Sequence, residues 1–290
     1  MDGDSPLHTA DGITDRIEAA LGTDIRSVNE LDGGLVGRVF RVERVDHPPV
    51  VAKLDDNPLD NEARMLRWLA TETELPVPTV KHVEEGLLVM EYFDGDGRYD
   101  EQTQRALADH LAALHDVTAD AYGFSFDTLS GPFLQSNPWT DSWIDFFREQ
   151  RILPFARAAR DDGSLPEVTF DRVLTLADRL DELLVEPDEP ALVHGDIHPG
   201  NTVVQNGAVR AVLDPAIYFA HDEIDLSYIA RSPEISDAFF DQYQRHRGID
   251  EGYFDRRQGV YNAFHALENV RFFGAERLPR LRDTLDQINW

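Results

Sequence analysis

His194-Gly195-Asp196-Ile197-His198-Pro199-Gly200-Asn201, followed after an apolar hairpin by Asp214-Pro215-Ala216, is the stretch on which the reading of this chain turns. Two kinds of chemistry compete for it. His194, Asp196 and His198 stand at alternate positions, so on a strand they would face one way and could hold a metal as in a hydrolase. Gly195 and the Pro199-Gly200 pair break such a strand and make the segment a loop. In a loop the same residues suit phosphoryl transfer, which needs a carboxylate near the acceptor hydroxyl and hard oxygen ligands for a metal. Asp196 then takes the acceptor's proton, Asn201 is a Mg²⁺ ligand, and Asp214 completes the metal site. His194 and His198 are left to bond the loop backbone. Between Asn201 and Asp214, Asn206-Gly207 separates two apolar runs, 202–205 and 208–213, which is a strong hairpin signal.

Working outward, the N-terminal third reads as mixed α/β. A helix is expected over 11–21, strands over 39–45 and 50–54 joined at Asp46-His47-Pro48-Pro49, a helix over 59–69, and a strand over 87–90. Gly33-Gly34-Leu35-Val36-Gly37 precedes the strand at Val39, where backbone amides of Gly33, Gly34 and Gly37 would cover the phosphates of ATP. Lys53 sits inside an apolar strand, a costly place for an ammonium unless it meets anions. Glu62, on the next helix, is its expected partner. Glu91-Tyr92-Phe93 follows the last of these strands and would offer backbone groups to adenine.

Beyond residue 100 the pattern turns helical, with apolar faces carried by Leu107, Leu111 and Leu114, by Trp143, Ile144, Phe147, Ile152 and Leu153, and by Val173, Leu176, Leu180, Leu183 and Leu184. The segment 223–290 is expected to be helical too. The order predicts an α+β chain of two lobes: a small β-rich nucleotide-binding lobe over 1–93, and a larger helical lobe over 94–290 carrying catalysis and substrate.

Composition narrows the partners. The 290 residues hold 55 acidic against 27 basic side chains, a net charge of −28, and no cysteine. Disulfides, thiolate metal sites and thiol nucleophiles are therefore excluded, and nucleic acid is a poor partner for such a surface. No apolar run approaches the roughly 18 residues of a membrane helix. The acidic start, Met1-Asp2-Gly3-Asp4-Ser5-Pro6, lacks the apolar core of a secretory signal, so a cytoplasmic protein is expected. Lysine occurs only at 53 and 81, arginine supplying the other basic residues. Acid-rich, lysine-poor surfaces resemble those of salt-loving microbes, where ~1 M salt shortens the Debye length to about 3 Å.

The loop, hairpin and Asp214 share their spacing with protein kinases and aminoglycoside phosphotransferases. The run from Asp214 through Tyr218-Phe219-Ala220-His221-Asp222-Glu223-Ile224-Asp225-Leu226 resembles the fructosamine (ketosamine) kinase family more closely. So do Gln135-Ser136-Asn137-Pro138-Trp139, Arg151-Ile152-Leu153-Pro154, and Tyr261-Asn262-Ala263-Phe264-His265-Ala266-Leu267 with Phe272-Phe273-Gly274. The resemblance runs from about residue 31 to 274. It implies a protein-kinase-like two-lobed fold and ATP- and Mg²⁺-dependent phosphorylation of a sugar hydroxyl on a glycated amine, in deglycation repair. It implies, too, that Asp225 braces the loop from below. His198-Pro199 stands where that family usually has Trp-Ser and is the aminoglycoside-kinase form, which keeps an aminoglycoside, choline or a free sugar open as acceptor. A nucleotide-binding pseudokinase is the reading from another class, opposed by Lys53, Asp196, Asn201 and Asp214 occurring together. Trp139, Trp143, Tyr218 and His265 have two readings, as lining of a sugar pocket or as packing.

Overall fold

The structure, a computed structural model, describes residues 10–31 and 37–288. Its first part is a five-stranded antiparallel sheet in the order β1-β2-β3-β5-β4, formed by β1 (Ile25–Glu30), β2 (Arg38–Arg44), β3 (Val50–Leu54), β4 (Val80–Glu84) and β5 (Leu87–Glu91). Two helices, α1 (Ala10–Leu21) and α2 (Leu59–Glu72), belong to it. Strand periodicity decides what each face does. Phe40, Val42, Val50, Ala52, Leu54, Leu87 and Val89 pack with Ile13 and Ile17 of α1 on one face. Val51, Leu88 and Met90 belong to the other, where Leu59, Ala63 and Leu66 of α2 cover them. Lys53 lies between Ala52 and Leu54 and opposite Leu88, so it points to the α2 face. That is how a lysine in an apolar strand comes to meet Glu62.

β1 and β4 were not expected from sequence. Both are edge strands, and their side chains are half-buried or exposed throughout, so neither carries an apolar pattern strong enough to read.

A linker joins the sheet to the helical part by crossing the hairpin of β9 (Thr202–Gln205) and β10 (Ala208–Val212). The Asp96 amide donates to the Val204 carbonyl at 2.8 Å, and the Asp96 carboxylate accepts from the Asn206 amide at 2.9 Å. The helical part then opens with α3 (Glu101–His115), capped by the Asp100 side chain on the Thr103 amide. The helix expected around Trp143 forms as α4 (Trp143–Phe146) and α5 (Leu153–Asp161), joined by a π-helical turn at Phe147–Ile152. The apolar face expected over Val173 to Leu184 divides into α6 (Glu167–Asp178) and α7 (Leu180–Leu183), parted at Arg179, whose φ of −106° and ψ of 9° leave the helical region. β8 (Ala191–Val193) pairs with β11 (Tyr218–Ala220). α8 (Glu223–Ile229), α9 (Asp237–His246), α10 (Gln258–Phe273) and α11 (Leu278–Gln287) complete the chain. A hairpin of β6 (Thr128–Ser130) and β7 (Phe133–Gln135) is an addition the sequence reading missed, although Gly131-Pro132 marks its turn. Among the described residues no helix is long and apolar enough to cross a membrane.

Candidate active site

The segment 194–201 is a loop, fixed from beneath and from one side. Beneath it, both oxygens of Asp225 on α8 accept backbone amides, from His194 at 2.7 Å and from Gly195 at 2.9 Å. Asp225 is buried, and His115 of α3 approaches it at 3.2 Å. At the side, Gly195 has φ +81°, and a Cβ there would stand 2.4 Å from the Ala216 carbonyl oxygen. Only glycine fits. The Ala216 amide donates back to His194 at 2.8 Å, so the loop and the chain after Asp214 are tied together.

Within this frame His194 Nδ1 accepts from the Asp196 amide at 3.3 Å and His198 Nδ1 from the Gly200 amide at 3.0 Å. Both histidines thus bond loop backbone, and the alternating metal arrangement on a strand does not form. Asn201, five residues after Asp196, donates from Nδ2 to the Asp196 carboxylate at 2.9 Å and to its carbonyl at 3.0 Å. With both amide hydrogens engaged, Asn201 keeps its Oδ1 as a hard oxygen for the cavity. Burial raises the pKa of Asp196 above the ordinary aspartate value, although Tyr228, His198 and His194 act against it.

Lys53 closes the arrangement. Its Nζ stands 2.7 Å from Glu62 and 3.0 Å from Asp214, 161 positions away in sequence. Burial disfavours the ammonium, but the two carboxylates outweigh it and hold its pKa above the usual lysine range. Burial likewise works to raise Asp214, and Lys53 overcomes it, keeping that carboxyl below its ordinary value. Asp214 itself has φ +50°, a strained conformation for an L-residue at the end of a hairpin.

These groups face one cavity of about 800 Å³ between the sheet and the helical part. Asp196, Asn201, Lys53, Glu62 and Asp214 line it, as do Glu91, Tyr92 and Phe93 at the linker. Val39, Val51, Met65 and Met90 supply apolar wall there. The Glu91 side chain accepts from Thr79 at 2.7 Å and Tyr92 donates to Asp94 at 3.0 Å. Gly37 also lines the cavity with φ +73°, and a Cβ there would be 2.5 Å from the Leu54 carbonyl oxygen. Gly33 and Gly34 lie outside the described residues.

A family model for fructosamine kinase matches residues 10–289. The chain belongs to the fructosamine kinase family. A protein of Synechocystis named as a probable ketoamine kinase is 32% identical over 204 residues, which are 69% of this chain and 66% of that protein. The chloroplastic protein-ribulosamine 3-kinase of Arabidopsis thaliana is 28% identical over 193 residues, 65% of this chain and 57% of the relative. The chain thus aligns with about two thirds of the first of these curated relatives and just over half of the second. A crystal structure from Thermobifida fusca, of a candidate fructosamine-3-kinase, superposes with a TM-score of 0.85 at 30% identity, covering 96% of this chain and 99% of that one. The fold is the protein-kinase-like α+β fold.

In this fructosamine kinase family member the aromatic and histidine residues considered for a sugar pocket do not line the cavity. Trp143 and Tyr218 are buried in the core, and Trp143 Nε1 donates to the Tyr261 hydroxyl at 3.1 Å. His265 is buried and hydrogen-bonded, and Trp139 is 51% exposed beside Phe219. The motif at 135–139 and Arg151 also has a structural basis. Arg151 is wholly buried, bonded to the Ser136 carbonyl and Asn137 Oδ1 and stacked on Tyr218 at 3.9 Å.

The end of the cavity away from the linker is lined instead by Tyr228, Glu268, Asn269 and Phe272, with Ser130 from the unexpected hairpin. Tyr228 lies one turn after Asp225 on the same helix face, a spacing that could have pointed to it. Its hydroxyl engages Asp196, and burial with that carboxylate holds the phenol well above its ordinary pKa.

Proposed function

We propose that this chain is an ATP-dependent kinase transferring a phosphoryl group to a sugar hydroxyl of a ketosamine, of fructosamine or ribulosamine type. The observation that carries the reading is Lys53, held between Glu62 and Asp214 in the same cavity as Asp196 and Asn201. In this reading residues 1–93 form the nucleotide-binding lobe and 94–290 the catalytic and substrate-binding lobe. The backbone of Glu91-Tyr92-Phe93 receives adenine, and Gly33, Gly34 and Gly37 cover the phosphates. The Lys53 ammonium opposes phosphate charge, and Glu62 fixes its direction. Asp196 takes the proton of the acceptor hydroxyl as its oxygen bonds to the terminal phosphorus and ADP leaves. The ionised Asp214 and the free Oδ1 of Asn201 suit Mg²⁺, which when bound would neutralise phosphate charge.

The acceptor is a small molecule or a glycated amine rather than nucleic acid or membrane, in keeping with the net charge of −28. Phosphorylation of a ketosamine makes it unstable and releases the amine, which is the basis of a cytoplasmic repair role. An aminoglycoside, choline or free-sugar acceptor is the second reading, favoured by His198-Pro199 in the loop. The test is ADP release with a panel of ketosamines, free sugars, aminoglycosides and amino alcohols, Mg²⁺ present and absent. Turnover selective for ketosamines is expected. Selectivity for another class replaces the acceptor, and ATP binding without transfer to any of them makes the chain a pseudokinase.

A further inference from the structure

Glu268 is 7% exposed on α10 and lines the cavity at the end beyond Asp196. Its Oε1 accepts from Ser130 Oγ at 3.3 Å, and its Oε2 stands 3.0 Å from His265 Nδ1. The far side of that ring fixes the tautomer. Ser227 Oγ gives its hydrogen to the Ile224 carbonyl at 2.8 Å. His265 Nε2, 2.9 Å from the Ser227 oxygen and 3.2 Å from the same carbonyl, must therefore be the donor. A neutral His265 then turns a bare lone pair toward a carboxylate oxygen, an arrangement that requires one proton between them.

Burial decides where that proton resides. It pushes His265 down to about 3 and Glu268 up to about 8, so the free protein carries a neutral histidine and a protonated glutamate. The fold itself asks only for a donor toward His265 and an acceptor toward Ser130. Glutamine would supply both. What glutamine lacks is the capacity to become an anion inside the cavity. The cavity's own charge favours a positive guest. Asp55, Glu62, Glu91, Asp196, Asp214 and Glu268 are among its described lining residues, where Lys53 is the one lysine or arginine and is already paired.

We infer that Glu268 reads the charge of the acceptor, surrendering its proton and receiving, as a carboxylate, the secondary ammonium of a glycated amine. This rests on the ketosamine reading above and names the residue that separates such acceptors from neutral sugars. The other ionisable groups facing Glu268 are Arg231 and Tyr228 from α8 and the turn after it, Arg151 from the π-helical turn, Tyr218 from β11 and Asp196 from the loop. Arg231 and Arg151 favour the anion, but among the described residues His265 alone stands within ion-pair distance. Because a cationic guest favours ionised Glu268, its binding releases a proton near pH 7, and affinity grows as pH rises toward 8.

The test is calorimetric titration of the full chain with the fructosamine of a short primary amine and with its neutral ether isostere, in buffers of different ionisation enthalpy. Wild type should bind the ammonium roughly 10- to 100-fold more tightly than the ether, the range of a hydrogen bond to a charged group, and should release about one proton. Glu268→Gln should keep the melting temperature but lose both the preference and the proton release. Glu268→Asp, which retains a carboxylate, should keep part of the preference. Equal binding of the two ligands by wild type, or an undiminished preference in Glu268→Gln, overturns the inference. Phosphoryl transfer measured alongside separates the two claims. Glu268-dependent binding with no phosphorylation of the ketosamine defeats the kinase reading alone. Phosphorylation equally efficient in wild type and Glu268→Gln, with no preference in binding, defeats the role of Glu268 alone.

Discussion

The two ends of the cavity each hold a buried glutamate whose carboxyl burial pushes up, and they give it different partners. Near the linker Glu62 faces an ammonium at 2.7 Å that a second carboxylate also holds. At the far end Glu268 faces a neutral imidazole at 3.0 Å. At the first end burial works to raise Glu62 as well, but the Lys53 ammonium opposes it, and Lys53 is set in place before any nucleotide arrives. At the second end charge is withheld until a guest brings its opposite. Pre-set charge suits a ligand whose phosphates never vary, and conditional charge suits discrimination among acceptors.

Several substitutions break or sharpen this contrast. The largest effects belong between the two ends, where both ligands meet. Asp196→Asn should lower kcat by roughly 10²–10⁴, the usual worth of a positioned base, with ATP still bound. Asp214→Ala should abolish turnover and weaken Mg·ATP binding, whereas His198→Gln should leave metal dependence unchanged. Steady-state kinetics across a Mg²⁺ series checks all three, and near-wild-type turnover in Asp196→Asn would remove that residue from the chemistry.

Next in size is the pre-set charge itself. Lys53→Ala should cost roughly 10- to 100-fold in kcat/KM for ATP, and Lys53→Arg should restore only part, because a planar guanidinium does not fill the place of an ammonium. Full activity in the arginine variant would show that the Glu62–Lys53–Asp214 geometry is not what matters.

A smaller effect is expected beneath the loop. Asp225→Asn replaces one of two acceptor oxygens by a donor facing a backbone amide, and should destabilise the fold by about 1.5–3 kcal/mol. Urea denaturation measures it, and an unchanged midpoint would mean that the loop holds without its brace.

The mildest test concerns the exterior. At a net charge of −28, repulsion among surface carboxylates should weaken as KCl rises from ~0.1 M, where the Debye length is about 10 Å, to molar levels, where it is about 3 Å. The melting temperature should climb across that series, while the buried Lys53 pair, screened far less, should change little. A flat or falling melting curve removes the salt-adapted reading and leaves the site untouched.

The linker end and the middle of the cavity were legible in sequence because spacing encodes them. Asp196, Asn201 and Asp214 stand at fixed intervals around a hairpin, and Lys53 is conspicuous inside an apolar strand. The far end was not legible. Ser130, Tyr228 and Glu268 come from three separate elements, and in sequence Glu268 looks like any helical glutamate. Its meaning arises from burial beside His265, which only the packing of α8 against α10 supplies. The aromatics kept two readings for a related reason: Trp143 satisfies its indole N–H on Tyr261 in the core, and composition cannot tell a packed ring from one that lines a cavity. The fold followed the same division. β2, β3 and β5 announced themselves by buried residues, while the edge strands β1 and β4, burying little, did not.

The scarcity of lysine has a further consequence. Sugar aldehydes and ketones condense with amines that have lost their proton. Of the two lysines in the sequence, Lys53 is shielded and held as an ammonium between two carboxylates, so its nitrogen has no lone pair to offer. Lys81, exposed on β4, is the side-chain amine left open to attack. The arginines that replace the rest stay protonated and are poor nucleophiles, and there is no thiol. The side chains that might have been sites of sugar damage have largely been written out of the chain, so a protein acting on glycated amines would itself make a poor target for glycation.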